Sequence, residues 1–204
     1  MISTILCGLT DVLVPGLRAL AAPQLGPGRT AGEVILERLV VDDLNGLYKG
    51  EMTEPEFCRR ILDRAGWPVD IEDLRTAIRR RFIEPVPGTA QVLRDLAGRY
   101  RLVLVADHAR NWIDEIRRTH AELLSIFKRS FFSFDLHRTK HDPVTFRMVL
   151  GLLGDQPSEC LVIDADPLSI AAATEAGLAS ILFKDARQLA KELAERGIET
   201  SDAQ

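Results

Sequence analysis

Asp107, His108, His141 and Asp166 follow closely on apolar runs of the sequence, and Asp164 closes one of those runs. Imidazole titrates near neutral pH and ligates transition metals, and a neighbouring carboxylate can orient it or take its proton. Brought together, Asp107, His108, His141, Asp164 and Asp166 would make a substitute acid/base or metal site. No His-x-x-x-His or comparable local spacing links them, so their convergence is left to the fold. The plainer reading is solvated loop positions.

Other reactive types carry less. Cys7, Cys58 and Cys160 are odd in number and widely spaced. They offer neither metal spacing nor a disulfide framework, which points to a reducing cytoplasm. Arg79, Arg80 and Arg81 end a helical pattern, where cations complement the helix dipole; phosphate binding is the sharper reading of the same run. Trp67 and Trp112 lack the aromatic spacing of a base-stacking platform and read as packing residues.

Five short apolar runs must position these groups: Ile2–Cys7, Arg101–Ala106, Ser130–Phe134, Cys160–Asp164 and Ser180–Phe183. Continuous rather than alternating apolar runs suit a parallel sheet covered on both faces. Helical patterns lie between the later runs: Thr89–Ala97, Asn111–Arg118, Pro143–Leu153 (after Asp142 as N-cap), Pro167–Ala176 and Ala186–Arg196. The site is then expected at the carboxyl ends of the strands. Residues 15–83 carry no convincing strand. Apolar residues recur there at helical spacing from Glu33 to Tyr48, Thr53-Glu54-Pro55-Glu56 has capping-box spacing, and Asp70 can cap a helix through Arg80.

The chain has 204 residues, with 26 Lys+Arg against 30 Asp+Glu and a formal net charge of -4. That mild acidity argues against a nucleic-acid binder. A hydrophobic fraction of 46% excludes a disordered chain, and no apolar run is long enough to span a bilayer. The segment up to Ala22 is apolar, but it contains Asp11 and has no basic side chain before Arg18, so it reads as structure and not as a secretion signal.

A first strand, a helical insertion and alternating strand–helix units resemble the haloacid dehalogenase (HAD) superfamily with a helical cap. Ile5-Leu6-Cys7-Gly8-Leu9-Thr10-Asp11-Val12-Leu13-Val14 resembles its first motif, an apolar strand ending Asp-x-Asp-Gly-(Val/Thr)-Leu. Tyr48-Lys49-Gly50-Glu51-Met52-Thr53 looks like the cap junction of small phosphatase-like members, and Arg101–Asp107 is similar to the second motif. Arg138-Thr139-Lys140-His141-Asp142-Pro143 resembles the third, and Leu161-Val162-Ile163-Asp164-Ala165 the fourth. The resemblance implies an α/β fold: a doubly wound, Rossmann-like parallel sheet from residues 1–14 and 84–204, with residues 15–83 as an inserted helical cap.

The resemblance also assigns roles, and here the side chains depart from it. The family's nucleophilic aspartate, which forms a covalent intermediate and helps hold Mg²⁺, matches Gly8. The acid/base aspartate matches Thr10, a change that dehalogenase and phosphonatase branches share. The hydroxyl of the second motif matches Ala106. Lys140 matches the cation that neutralises nucleophile and phosphate. Asp164 matches the first metal-binding acid, and Ala165 the second. Alternation along a strand turns Cys7 away from position 8, and Asp11 reads as a turn residue. Lys140 is left either to bind an anion or to pair with Asp164.

The expected protein is thus a HAD-like fold that is inactive or strongly impaired, needs no cofactor, and binds a small anion or a protein partner. Nucleic acid and membrane are not expected as partners, and a cap-mediated homodimer is a further option. The alternative is a phosphatase-like hydrolase of a small phosphorylated metabolite with unconventional catalytic residues, using Mg²⁺ at Asp164.

Overall fold

The computed structural model describes residues 1–17, 41–66 and 68–198. The expectations for the Glu33–Val40 half of the first helical pattern and for Trp67 lie outside the described residues. The fold is built on β1 (Thr4–Cys7), β2 (Arg101–Ala106), β3 (Arg129–Phe132), β4 (Cys160–Asp164) and β5 (Ala179–Leu182). They form one parallel sheet in the order β3-β2-β1-β4-β5.

Strand alternation divides the apolar side chains between two cores. Ile5, Cys7, Leu102, Leu104, Leu161 and Ile163 enter one cluster, while Leu6, Val103, Val105, Cys160 and Val162 enter the other. This is why the strands read as unbroken apolar runs: both faces are covered. The first face packs on α4 (Thr89–Ala97), α5 (Arg110–Thr119) and α10 (Ala186–Glu195) through Leu93, Trp112, Ile116 and Leu189. The second packs on α8 (Pro143–Leu153) and α9 (Pro167–Glu175) through Phe146, Val149 and Ala173.

Between β1 and β2 the described residues contain three further helices before α4: α1 (Val41–Tyr48), α2 (Glu54–Ala65) and α3 (Ile71–Arg80). Their residues Leu47, Phe57, Ile61, Leu74 and Ile78 join the first cluster, so this segment shares the sheet's core. The helix starts follow from short polar caps. Thr53 Oγ1 accepts from Glu56 N at 3.4 Å, Asp70 from Glu72 N at 2.7 Å, and Asp142 from Val144 N at 2.9 Å with Pro143 in the first turn.

One strand end differs from the sequence expectation. The apolar run to Phe134 leaves the ladder after Phe132, and the helical turn α7 (Ser133–Leu136) follows. The cause is tertiary: Ser133 Oγ donates to Tyr48 O at 2.6 Å and accepts from His108 N at 3.2 Å. A second short helix, α6 (Ala121–Leu124), was also unannounced by periodicity, because a single turn has none to show.

Candidate functional site

β1 lies at the centre of the sheet, flanked by β2 and β4. Crossovers leave in opposite directions from this point, which opens a crevice at the carboxyl ends of β1 and β4. Gly8 N donates to Ile163 O at 2.8 Å, which sets residue 8 beside the end of β4, where Asp164 stands. The third contributor, Lys140, precedes α8.

Lys140 and Asp164 are 5% and 1% exposed, and Lys140 Nζ lies 2.5 Å from Asp164 Oδ2. Burial works against the ammonium, but Asp164 and Asp107 more than offset it and hold the lysine charged, above its ordinary range. The other Asp164 oxygen, Oδ1, accepts from Asp166 N at 3.0 Å. Asp107 accepts from the Lys140 backbone N–H with both oxygens, at 3.0 and 3.1 Å. Burial pushes its carboxyl up to about 6 despite the nearby lysine.

Gly8 explains how the pair closes. An ideal Cβ on Gly8 would sit 2.7 Å from Asp164 Oδ2 and 3.0 Å from its Cγ. Asp164 thus occupies the volume that a side chain at position 8 would need. A carboxylate at position 8 and the present Asp164–Lys140 contact are mutually exclusive without movement of a buried, paired group.

The remaining candidates separate. His141 Nε2 lies 2.5 Å from Asp166 Oδ2 on the half-exposed rim, and that carboxylate raises the imidazole above its ordinary range. Asp166 also caps α9 by accepting from Leu168 N at 3.1 Å. His108 packs among Tyr48, Phe82 and Trp112, with ring centroids 5.0–6.0 Å away. Ala106 is buried, and Ala165 packs against the first cluster. Asp11 adopts a left-handed turn, φ 57°, and accepts from Gly16 N at 2.6 Å. Thr10 bridges Val14 in the same turn. Cys7 is fully buried, and burial drives its thiol upward, away from nucleophile chemistry.

Among the described residues no group of three or more His, Cys, Asp or Glu converges as a metal ion would require. Mg²⁺ in particular asks for several hard oxygen ligands in near-octahedral array. Asp164 has one oxygen on an ammonium and the other on a backbone N–H, while Gly8 and Ala165 supply none. The donor set does not fit that ion.

His108 yields a prediction. Burial lowers its imidazole to about 3. The unfolded chain binds this proton near 6.5 and the folded chain does not, so His108 removes stability as pH falls below 6.5. Asp107 acts oppositely, adding stability as pH falls through about 6. Subtracting a His108→Phe variant isolates the histidine. In urea melts the variant is expected to gain on the wild type by about 1.4 kcal/mol per pH unit below 6.5, about 2 kcal/mol at pH 5. A pH-independent difference would refute the buried neutral imidazole.

Sequence reasoning passed over Glu54 as a mere helix-start residue. It is 2% exposed and accepts from Trp112 Nε1 at 2.8 Å, Arg75 Nη2 at 3.0 Å and Arg79 Nη2 at 2.9 Å. This joins α2 and α3 to α5. The available signal was Arg75 and Arg79 at i,i+4 spacing on the following helix, with Glu72 the one acid three or four residues from Arg75.

Known proteins place these observations. The chloroplastic flavin mononucleotide hydrolase 1 of Arabidopsis thaliana is 28% identical over 153 residues, 75% of this chain. The chain spans 61% of that relative's length. A Drosophila melanogaster protein named "Probable pseudouridine-5'-phosphatase" is 26% identical over 172 residues, 77% of this chain and 74% of its own. A HAD family enzyme of Bacteroides thetaiotaomicron, solved as a point mutant with magnesium and inorganic phosphate, superposes with a TM-score of 0.72 at 19% identity. The superposition covers 91% of this chain and 95% of the other. The family model for haloacid dehalogenase-like hydrolases matches residues 29–177, from ahead of α1 to the turn after α9. With its central first strand, its Lys140 before α8 and its Asp164 closing β4, the chain belongs to the haloacid dehalogenase-like hydrolase family.

Proposed function

We propose that this chain is a HAD-fold protein whose hydrolytic step is lost or strongly impaired, and that it works by binding a ligand or partner. Residues 1–14 and 84–204 form its core and residues 15–83 a helical cap. The observation that carries this reading is the closed Lys140–Asp164 contact in the space a nucleophile at position 8 would fill. A covalent path needs an oxygen nucleophile there, and Gly8 offers none. Losing a nucleophile typically costs on the order of 10⁴ to 10⁶ in rate. Three buried free thiols support a reducing compartment such as the cytoplasm.

The second reading is a phosphatase-like hydrolase of a small phosphorylated metabolite. The names of the two curated relatives favour it more directly than they favour an inactive protein. The side chains of this chain favour the first.

One assay separates them. Release of phosphate from p-nitrophenyl phosphate, flavin mononucleotide and pseudouridine 5'-phosphate is measured with and without Mg²⁺. The first reading expects no Mg²⁺-dependent turnover above background. It expects none from Gly8→Asp either, because the new carboxylate meets Asp164. Turnover of about 1 s⁻¹ or more, abolished by Lys140→Ala, would establish the second reading in its place.

A further inference from the structure

The run Arg79-Arg80-Arg81 divides in the structure. Arg79 is spent on Glu54. Arg80 and Arg81 instead line a solvent-open cavity of about 520 Å³ with Pro15, Ala77, Ile83 and Glu84, in which Arg80, Ile83 and Glu84 are exposed. That volume lies within the range of small-molecule sites. The cavity sits where the chain leaves the sheet and where it returns; Val86 N donates to Leu13 O at 2.8 Å, tying the two connections together. No motif position is among these lining residues: Gly8, Asp107, Lys140 and Asp164 are elsewhere.

Arg60, Arg64, Arg75 and Arg79 each hold a carboxylate. Among the described residues Arg80 and Arg81 hold none, although Glu84 borders the same cavity. Arg81 Nε, like Arg79 Nε, is buried without a hydrogen-bond partner. A buried donor left unsatisfied costs about 1–3 kcal/mol, so native proteins supply a partner for it. Ala77, Arg80 and Arg81, at i, i+3 and i+4, share one face of α3 and its last turn. Pro15, Ala77 and Ile83 add an apolar wall.

We propose that this cavity binds a small phosphate ester: its phosphoryl oxygens take the planar guanidinium forks of Arg80 and Arg81, and its organic part lies on Pro15, Ala77 and Ile83. Two adjacent guanidinium groups match a dianionic phosphate in both charge and donor geometry. The site is independent of any turnover at Gly8.

The test is an NMR titration of the arginine Nε–Hε resonances of the full chain with inorganic phosphate, adenosine 5'-monophosphate and citrate. The expected result is a saturable shift of the Arg80 and Arg81 resonances with phosphate and no matching shift of exposed Arg59. Tighter binding of the nucleotide than of phosphate is expected from the apolar wall. An Arg80→Gln, Arg81→Gln double variant weakens binding at least about tenfold, while Arg59→Gln does not. Equal shifts at Arg59, unchanged affinity in the double variant, or tighter binding of citrate than of either phosphate compound would overturn the proposal. The wild-type resonances decide the matter even if the double variant fails to fold.

Discussion

Replacing Lys140 by methionine is expected to cost about 3–5 kcal/mol of folding stability at neutral pH. The reason is what stays behind. Asp164 is buried against the lysine and Asp107 half-buried beside it, and the lysine's charge holds the Asp107 carboxyl lower than burial alone would. Removing the cation leaves two carboxylates facing each other without compensation. Asp164→Asn is expected to cost less, because the amide oxygen can still accept from Asp166 N and Lys140 keeps Asp107 nearby. The double variant Lys140→Met, Asp164→Asn should then be more stable than Lys140→Met alone. A double-mutant cycle in urea at pH 7 reads this coupling directly. The sign with pH follows as well: without the lysine, burial raises the Asp107 carboxyl further, so the cost of Lys140→Met shrinks on acidification as Asp107 takes its proton. Additive single costs, with no coupling between the two positions, would show that the pair is a solvent-screened contact and would remove the chief support for the inactive reading.

Glu54→Ala should cost a similar amount, about 3–4 kcal/mol. Burial alone would raise the Glu54 carboxyl, yet hydrogen bonds from Trp112, Arg79 and Arg75 outweigh it and hold the group below its ordinary range. Truncation orphans the buried indole N–H of Trp112, worth about 1–3 kcal/mol, and strands two guanidinium groups. Arg75 and Arg79 are 20% and 35% exposed, so solvent screens their share. Glu54→Gln keeps an acceptor for the indole and loses only the charge, and it should fall between alanine and wild type. Because the folded carboxyl lies below its unfolded value, the Glu54 contribution is present at neutral pH and is lost as pH falls through the folded value. Thermal melts at pH 7 together with the Trp112 indole resonance check both points. A Glu54→Ala variant with an unmoved indole resonance and wild-type stability would mean that apolar packing, and not this carboxylate, joins α2 and α3 to α5.

How far the sequence reaches differs between fold and site. The strands Arg101–Ala106 and Cys160–Asp164 are legible because five or six consecutive β-formers admit few other readings. The caps Thr53, Asp70 and Asp142 are legible because capping is a local bond between a side chain and a backbone two or three residues away. Ser133 reads as strand in the sequence but leaves the ladder, because its partners, Tyr48 and His108, lie 85 and 25 residues distant. The role of Glu54 is invisible in local sequence for the same reason: Trp112 is 58 residues away.

By itself the sequence determined what is missing. Gly8 carries no carboxylate, Ala106 no hydroxyl and Ala165 no second acid, and no packing can supply atoms that the side chains lack. It also determined that the apolar runs form a parallel sheet whose central strands are covered on both faces, since hydrophobic periodicity is a property of consecutive residues. Tertiary structure alone decided what the surviving groups do. Lys140 and Asp164 are 24 residues apart, and only the folded sheet, with Asp107 after β2 holding the Lys140 backbone, brings their charges to 2.5 Å. The pairing of β4 beside β1 carries Asp164 into the space above Gly8, and the packing of Tyr48, Phe82 and Trp112 encloses His108 away from water. Distance, burial and competition for one volume belong to residues far apart along the chain, so they come into being only when the chain is folded.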